Sequence, residues 1–372
     1  MKKFLFGILA MTVSGLCAFS QSYPQYINTA ANHLQMNGAD WSSLRQKMHQ
    51  RLEPGDTSTV RILHIGDSHI QAEFVTNRLR QLLQEHYGNA GRGLLVPLRL
   101  AGTNQSHDYS VTAAQGAGGT WTQARLLKCP WPVRPGFGGV AAQPSEAVDV
   151  TWRTSLPGHE IANARLFTSA GMRNINAQGV DSVVTPIAAG ETIYALLTDN
   201  GKPGLLYSAI GNNGACYNDY LLIDDFAAST KVFNPDLIVL SMGTNEAFSY
   251  MTEAEIERSV RNLLSELRRH NPGAEFVILG PMECQKNRRH GQRPLSPDYD
   301  ILERNAGISN QLSAIAASEH VPFWNLYDVA GGHGSSVHWL DDKLMNRDRI
   351  HLVKAGYEVE AALLFDALTE QW

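Results

Sequence analysis

Val60-Arg-Ile-Leu-His-Ile-Gly66, followed at once by Asp67-Ser68-His69-Ile70, decides how this chain is read. The first part is a short, mostly apolar run that reads as a buried strand. From Ile70 to Tyr87 the pattern changes. Phe74, Val75, Leu79, Leu82, Leu83 and Tyr87 recur at helical spacing, and Gly88 is placed to cap the helix. A strand, a tight turn and a helix put Ser68 on the turn with a helix N-terminus behind it. Helix N–H groups and the macrodipole favour negative charge there. Taken alone, Asp67 or Ser68 serves equally well as an ordinary helix cap.

The same rhythm returns downstream. Gly204-Leu-Leu-Tyr-Ser-Ala-Ile210 reads as a strand and runs into Gly211-Asn-Asn-Gly214. Asp236-Leu-Ile-Val-Leu240 reads as a fully buried strand. Thr252-Glu-Ala-Glu255 fits a capping box, and Ile256, Val260, Leu263, Leu264 and Leu267 form one helical face. Phe276–Leu279 predicts a strand, 298–319 a helix, Pro322–Tyr327 a strand and Lys354–Thr369 the closing helix. Alternation of this kind predicts an α/β fold, a doubly wound parallel sheet covered by helices. Residues 95–202 break the rhythm. They are rich in Gly, Pro, Ser and Thr and carry short β-like runs, Ala147–Trp152, Asp181–Thr185 and Thr192–Leu197. They read as an inserted all-β sandwich between 21–94 and 203–372. Because the insertion returns just before the strand leading to Gly214, its attachment is expected beside the ligand-binding edge of the sheet.

Composition narrows the function. The 372 residues carry a formal net charge of −5, which argues against nucleic acid as a partner. Lys2 and Lys3, the apolar run Phe4–Ala18 and the small-x-small pattern Ala18-Phe19-Ser20 read as a signal peptide over 1–20. The apolar run falls short of a membrane span. The expected location is therefore periplasmic or secreted. Cys17 leaves with the signal, and Cys129, Cys216 and Cys284 are too widely spaced for a zinc site. One disulfide with one free thiol, or three buried thiols, are both open.

Three further blocks carry chemistry. Gly211-Asn-Asn-Gly-Ala215 follows a strand, and a glycine there lets the backbone approach a ligand closely and offer its N–H. Gly243-Thr-Asn-Glu246 follows the buried strand, and Asn245 can donate its amide to an oxyanion. Asp348-Arg-Ile-His351 precedes the last helix, and its spacing lets one loop present a carboxylate and an imidazole together. Each block alone has a bland reading as a polar turn. Together they follow strands of one sheet or precede its last helix, which brings them to its carboxyl edge. Nucleophile, donors, base and orienter form a complete kit for acyl transfer.

The blocks resemble those of SGNH (GDSL-type) hydrolases: Gly66-Asp-Ser-His69, the glycine of Gly211–Ala215, Gly243-Thr-Asn-Glu246 and Asp348-Arg-Ile-His351. The resemblance covers both flanks and not the insertion. It implies Ser68 as nucleophile, Asp348 and His351 as its triad partners, and an oxyanion hole from the Ser68 N–H, Gly214 and Asn245. His69 departs from the commoner leucine. The longer stretch Gly66–Phe74, with Gly88-Asn-Ala-Gly-Arg-Gly93, is similar to bacterial peptidoglycan O-acetylesterases. Members of that group carry a carbohydrate-binding-like β-sandwich inserted after the first helix. The resemblance thus implies an esterase acting on an acetylated glycan, peptidoglycan first, without metal or cofactor. Deacetylation of a plant or capsular polysaccharide, acetyl transfer, and non-catalytic glycan binding are the alternatives.

Other candidates are weaker. His333 and His338 with Asp341 and Asp342 match no metal-ligand spacing. The basic run Lys286–His290 reads as a solvated loop.

Overall fold

The computed structural model describes residues 23–287 and 299–372. The signal sequence expected over 1–20, and most of the basic run Lys286–His290, lie outside the described residues.

The chain enters through α1 (Ser42–Arg51), β1 (Thr59–Gly66), α2 (Ser68–Gln71) and α3 (Phe74–Tyr87). Nine strands follow: β2 (Gly93–Leu95), β3 (Tyr109–Ala113), β4 (Trp121–Arg125), β5 (Val140–Pro144), β6 (Val148–Thr154), β7 (Ile161–Thr168), β8 (Gly171–Val180), β9 (Ser182–Ile187) and β10 (Ile193–Asp199). The α/β rhythm then resumes with β11 (Gly204–Gly211), α4 (Phe226–Ser229), β12 (Leu237–Ser241), α5 (Thr244–Phe248), α6 (Glu253–His270) and β13 (Glu275–Leu279). The last part holds β14 (Gln285–Asn287), β15 (Tyr299–Ile301), α7 (Arg304–Ser318), β16 (Phe323–Trp324), α8 (Leu326–Val329), α9 (Ser335–Asp341) and α10 (Lys354–Thr369).

β11, β1, β12, β13 and β16 form a parallel sheet in that order. This is the flavodoxin-like order, with its topological switch point at β1. The register aligns the strand ends that matter: Gly66 lies opposite Gly211 on one side and Ser241 on the other. Both faces of the sheet are covered. Val60 and Ile62 of β1 join one core cluster with residues of α1, α3 and α10, while Leu63 and Ile65 join another. That alternation is why the run from Val60 to Gly66 is nearly all buried.

The predicted helices form with instructive exceptions. α6 has its capping box, Thr252 with Glu255, and buries the face read from the sequence. The helix expected from Ile70 breaks at Glu73, which takes a left-handed φ of 56°. Its carboxylate turns into a buried cluster, in contact with Arg92 and 3.5 Å from Arg80. Asp108 completes the cluster by accepting both Nε (3.0 Å) and Nη2 (3.1 Å) of Arg92. Removing one member of such a buried charge group typically costs about 3–5 kcal/mol. The helix expected over 298–319 starts at Arg304, because Tyr299–Ile301 pairs with β14 instead.

Residues 93–199 build two antiparallel sheets, β4-β5-β10-β7-β8 with β2 added on β10, and β3-β6-β9. Val111, Val150 and Trp152 from one sheet and Leu166, Ala195 and Leu196 from the other share a core. The same cluster continues into Ile238, Leu240 and Ile278 of the parallel sheet. The attachment differs from expectation. β11 begins at Gly204, opposite Thr59, so the insertion is joined at the amino edge of the sheet rather than the carboxyl edge. A helix that returns antiparallel to its strand delivers the chain to that end. Distant parts of the insertion still reach the carboxyl edge, where Asn212 donates to the Gly138 carbonyl.

Cys129, Cys216 and Cys284 are all free, the first exposed and the others buried. Among the described residues no helix is long and apolar enough to cross a membrane.

Candidate active site

At the end of β1 the two readings of Asp67-Ser68 turn out to describe two residues. Asp67 is the N-cap of α2, its Oδ1 accepting the His69 N–H at 3.0 Å. Ser68 is thereby left to point outward, with Oγ 2.8 Å from His351 Nε2. Gly66 permits the turn, since a Cβ there would lie 2.3 Å from the Ile70 side chain and 2.5 Å from the Ser241 carbonyl.

His351 Nδ1 lies 2.7 Å from Asp348 Oδ2, and Asp348 Oδ1 accepts the N–H groups of Ile350 and His351, each at 3.0 Å. The turn between them needs Arg349 at φ 60°. Gln285 holds that strained residue, donating its backbone N–H to the Arg349 carbonyl and accepting Arg349 Nη1 on its side chain. Burial alone would raise the Asp348 carboxyl. The bonds from His351 and the two N–H groups outweigh it and hold the pKa down to about 2. The bond to Asp348 raises His351 above the ordinary histidine value, with burial opposing. The arrangement can move a proton from a serine hydroxyl to an imidazole whose charged form is stabilised from behind.

His351 and Asp348 keep side-chain exposures of 34% and 44%, so an ester on a larger molecule can reach Ser68. His69 is different. It is half-buried, its Nδ1 lies 3.0 Å from the Tyr357 hydroxyl, and desolvation followed by the His351 charge lowers its pKa to about 3. It packs beside His351 as a neutral ring, with centroids 5.0 Å apart.

The candidate donors sit on the neighbouring strand ends. The N–H groups of Ser68 and Gly214 have no acceptor among the described residues. Gly214 needs its glycine, with φ 83° and room for a Cβ only 2.9 Å from Leu127 Cδ1 of the insertion. Gly211 is a glycine for another reason: a Cβ there would strike the Gln71 nitrogen at 2.1 Å. Asn245 Nδ2 donates to the Ala215 carbonyl at 3.0 Å and to Asp67 Oδ2 at 3.2 Å. Burial raises the Asp67 carboxyl to about 7, opposed by the His69 N–H and the His351 charge.

Two supporting residues were not singled out from the sequence. Gln71 accepts the Asn213 N–H at 2.8 Å and donates to Thr103 Oγ1 at 2.9 Å, tying α2 to the turn that carries Gly214. Gln285 pins the Asp348–His351 loop. Both are ordinary polar residues in the sequence, and only three-dimensional proximity distinguishes them. The weaker His338 candidate stacks on Tyr26, with centroids 5.2 Å apart.

Residues 187–359 match the GDSL-like lipase/acylhydrolase family. The chain carries a GDSL-like acylhydrolase domain. The match takes in Gly214, Asn245, Asp348 and His351, while Ser68 lies on the far side of the insertion. A solved peptidoglycan O-acetylesterase superposes with a TM-score of 0.70 at 25% identity, over 93% of this chain and 97% of that one. An acetyl xylan esterase (18% identity, 44% of this chain and 81% of that one, TM-score 0.34) and a GDSL-like lipase from Bacteroides thetaiotaomicron (20%, 45% and 77%, TM-score 0.34) also match. No curated protein matches the sequence. The chain has the SGNH hydrolase fold with a β insertion, and it is a carboxylic ester hydrolase.

Proposed function

We propose that this protein is a periplasmic or secreted carbohydrate O-acetylesterase, with peptidoglycan as the substrate and Ser68, His351 and Asp348 as its triad. The observation that carries the reading is the unbroken chain of contacts from Ser68 Oγ to His351 Nε2 (2.8 Å) and from His351 Nδ1 to Asp348 (2.7 Å). Ser68 Oγ attacks the acetyl carbonyl while His351 takes its proton. The oxyanion receives the N–H groups of Ser68 and Gly214 and the Asn245 amide. Since Asp67 is the longer of the two Asn245 contacts, that hydrogen is the one shared with or released to the oxyanion. His351 returns the proton to the sugar oxygen, and water then clears the acetyl-enzyme by the same route. The peptidoglycan assignment is supported by the likeness to the peptidoglycan O-acetylesterase over nearly the whole of both chains. Secretion rests on the leader read over 1–20. We assign 21–94 and 203–372 to the hydrolase and 95–202 to the inserted module.

Two results check this. The enzyme should release acetate from O-acetylated peptidoglycan faster than from acetylated xylan, measured on matched acetyl content. Faster release from xylan would move the substrate to another polysaccharide. The second is a pH profile. Ser68 needs a neutral His351, and the Asp348 bond favours the charged form, so the folded pKa is raised. Activity should therefore fall on the acid side through a single ionisation with its midpoint above 6.5, the ordinary histidine value. A kcat/KM that stays flat well below that value would remove His351 as the base.

A further inference from the structure

A cleft of about 700 Å³ opens at the amino edge of the parallel sheet, between the start of β1 and strands β7 and β8 of the insertion. That volume suits a small oligomeric ligand. The cleft is not part of the Ser68 site. Arg61, on its wall, lies roughly 20 Å from Ser68 at ~3.3 Å per residue along an extended strand.

Its lining is basic, although the chain as a whole carries a net charge of −5. Arg61 of β1, Arg165 of β7 and Lys202 all face it. Among the described lining residues the acidic one is Asp199, whose Oδ1 is occupied by Asn163 Nδ2 (2.8 Å) and the Gly201 N–H (2.9 Å). Arg61 donates from Nη1 to the Thr59 carbonyl, and Arg165 from Nη2 to the Val232 carbonyl. Neither guanidinium has a carboxylate partner among the described residues. A guanidinium carries five N–H donors, so both keep most of theirs free. Burial disfavours the charge of Arg165, the like charge of Arg61 disfavours it further, and the Asp199 carboxylate offsets part of this. Two partly buried like charges that share a single nearby carboxylate, Asp199, gain when a further anion joins them. Asn174 and Asn176 of β8 add neutral amides on the same wall.

We infer that this cleft is a second binding site, one that holds carboxylates of an acidic glycan or glycopeptide strand whose ester is presented to Ser68. The choice of ligand rests on the reading of the substrate as an acetylated glycan. The planar fork of arginine matches a carboxylate with two parallel bonds, which a neutral sugar cannot supply. Anchoring at a distance raises the local concentration of ester without altering the chemical step. Phosphate shares the oxyanion chemistry, and the test separates the two.

The full-length Ser68→Ala protein is titrated calorimetrically with a disaccharide tetrapeptide, with the same fragment amidated at its carboxylates, and with inorganic phosphate. Arg61→Gln combined with Arg165→Gln should weaken binding of the acidic fragment by tenfold or more, on the order expected for charge-assisted bonds. The amidated fragment should bind no better than it does to the variant. Arg→Lys at both positions should retain part of the affinity. With Ser68 intact, the same Gln substitutions should leave hydrolysis of a chromogenic acetate ester unchanged and raise KM on the polymer while kcat holds. That small-ester rate also reports folding, and Arg61→Gln alone is read if the pair fails to fold. Unchanged affinity in the Gln variants, or tight binding of the amidated fragment, overturns the site. Phosphate that binds tightly and displaces the fragment overturns its assignment to carboxylates. Failure of the unsubstituted enzyme to release acetate from any glycan would count against the proposed function, independently of the cleft.

Discussion

Replacing Ser68 with alanine is expected to lower kcat by roughly 10⁴-fold or more, because nucleophile, base and orienter act as one unit. The protein should stay folded. The hydroxyl makes its side-chain contact with His351, at 2.8 Å, and the capping of α2 is carried by Asp67 instead. The loss should therefore appear in kcat with little change in thermal stability. A fluorophosphonate should label the unsubstituted protein at Ser68 and leave the alanine variant unlabelled. A folded Ser68→Ala protein with near-normal turnover would sink the triad assignment outright.

Asn245→Ala should cost on the order of 10²–10³ in kcat, the usual loss for one preorganised oxyanion donor. KM should move far less, since the bond strengthens only as negative charge develops. The structure adds a second consequence. Asn245 also donates to Asp67, a buried carboxyl that would lose this partner, at a cost of about 1–3 kcal/mol. Rates must be taken well below the melting temperature of the variant, so that lost donation is not mistaken for lost protein. An unchanged kcat under those conditions takes Asn245 out of the hole.

Much of the parallel sheet was legible because its strands are buried on both faces and read as unbroken apolar runs, as from Leu237 to Leu240. α6 was legible for the opposite reason, its one-sided face and its capping box. The break at Glu73 was not, because nothing local marks it. Its cause is a pair of arginines, Arg80 and Arg92, one of them from beyond α3. Tyr299–Ile301 misled in the same way, since pairing with β14 overrides their local preference. At the site, Asp348 and His351 could be read as a pair because they share a loop. The dependence of Gly214 on Gln71, and of Arg349 on Gln285, joins residues far apart in the chain and has no local signature.

The junction of the insertion bears on how the chain folds. β1 and β11 are neighbours in the sheet, yet the whole insertion lies between them. β2 pairs with β10, Gly93 opposite Thr198, and the Asn200 N–H reaches the Ala90 carbonyl. Entry and exit are thus stapled side by side. Once that staple forms, the ends of a very long loop are already together, and the entropy of closing it has been settled within the insertion. The parallel sheet can then assemble as though α3 led to β11 through a turn of a few residues. Order of events follows from connectivity: native contacts inside the insertion should gain protection from hydrogen exchange before those between β1 and β11. The slower step in making this enzyme would then be the docking of β1 against β11, the event that brings its chemistry together.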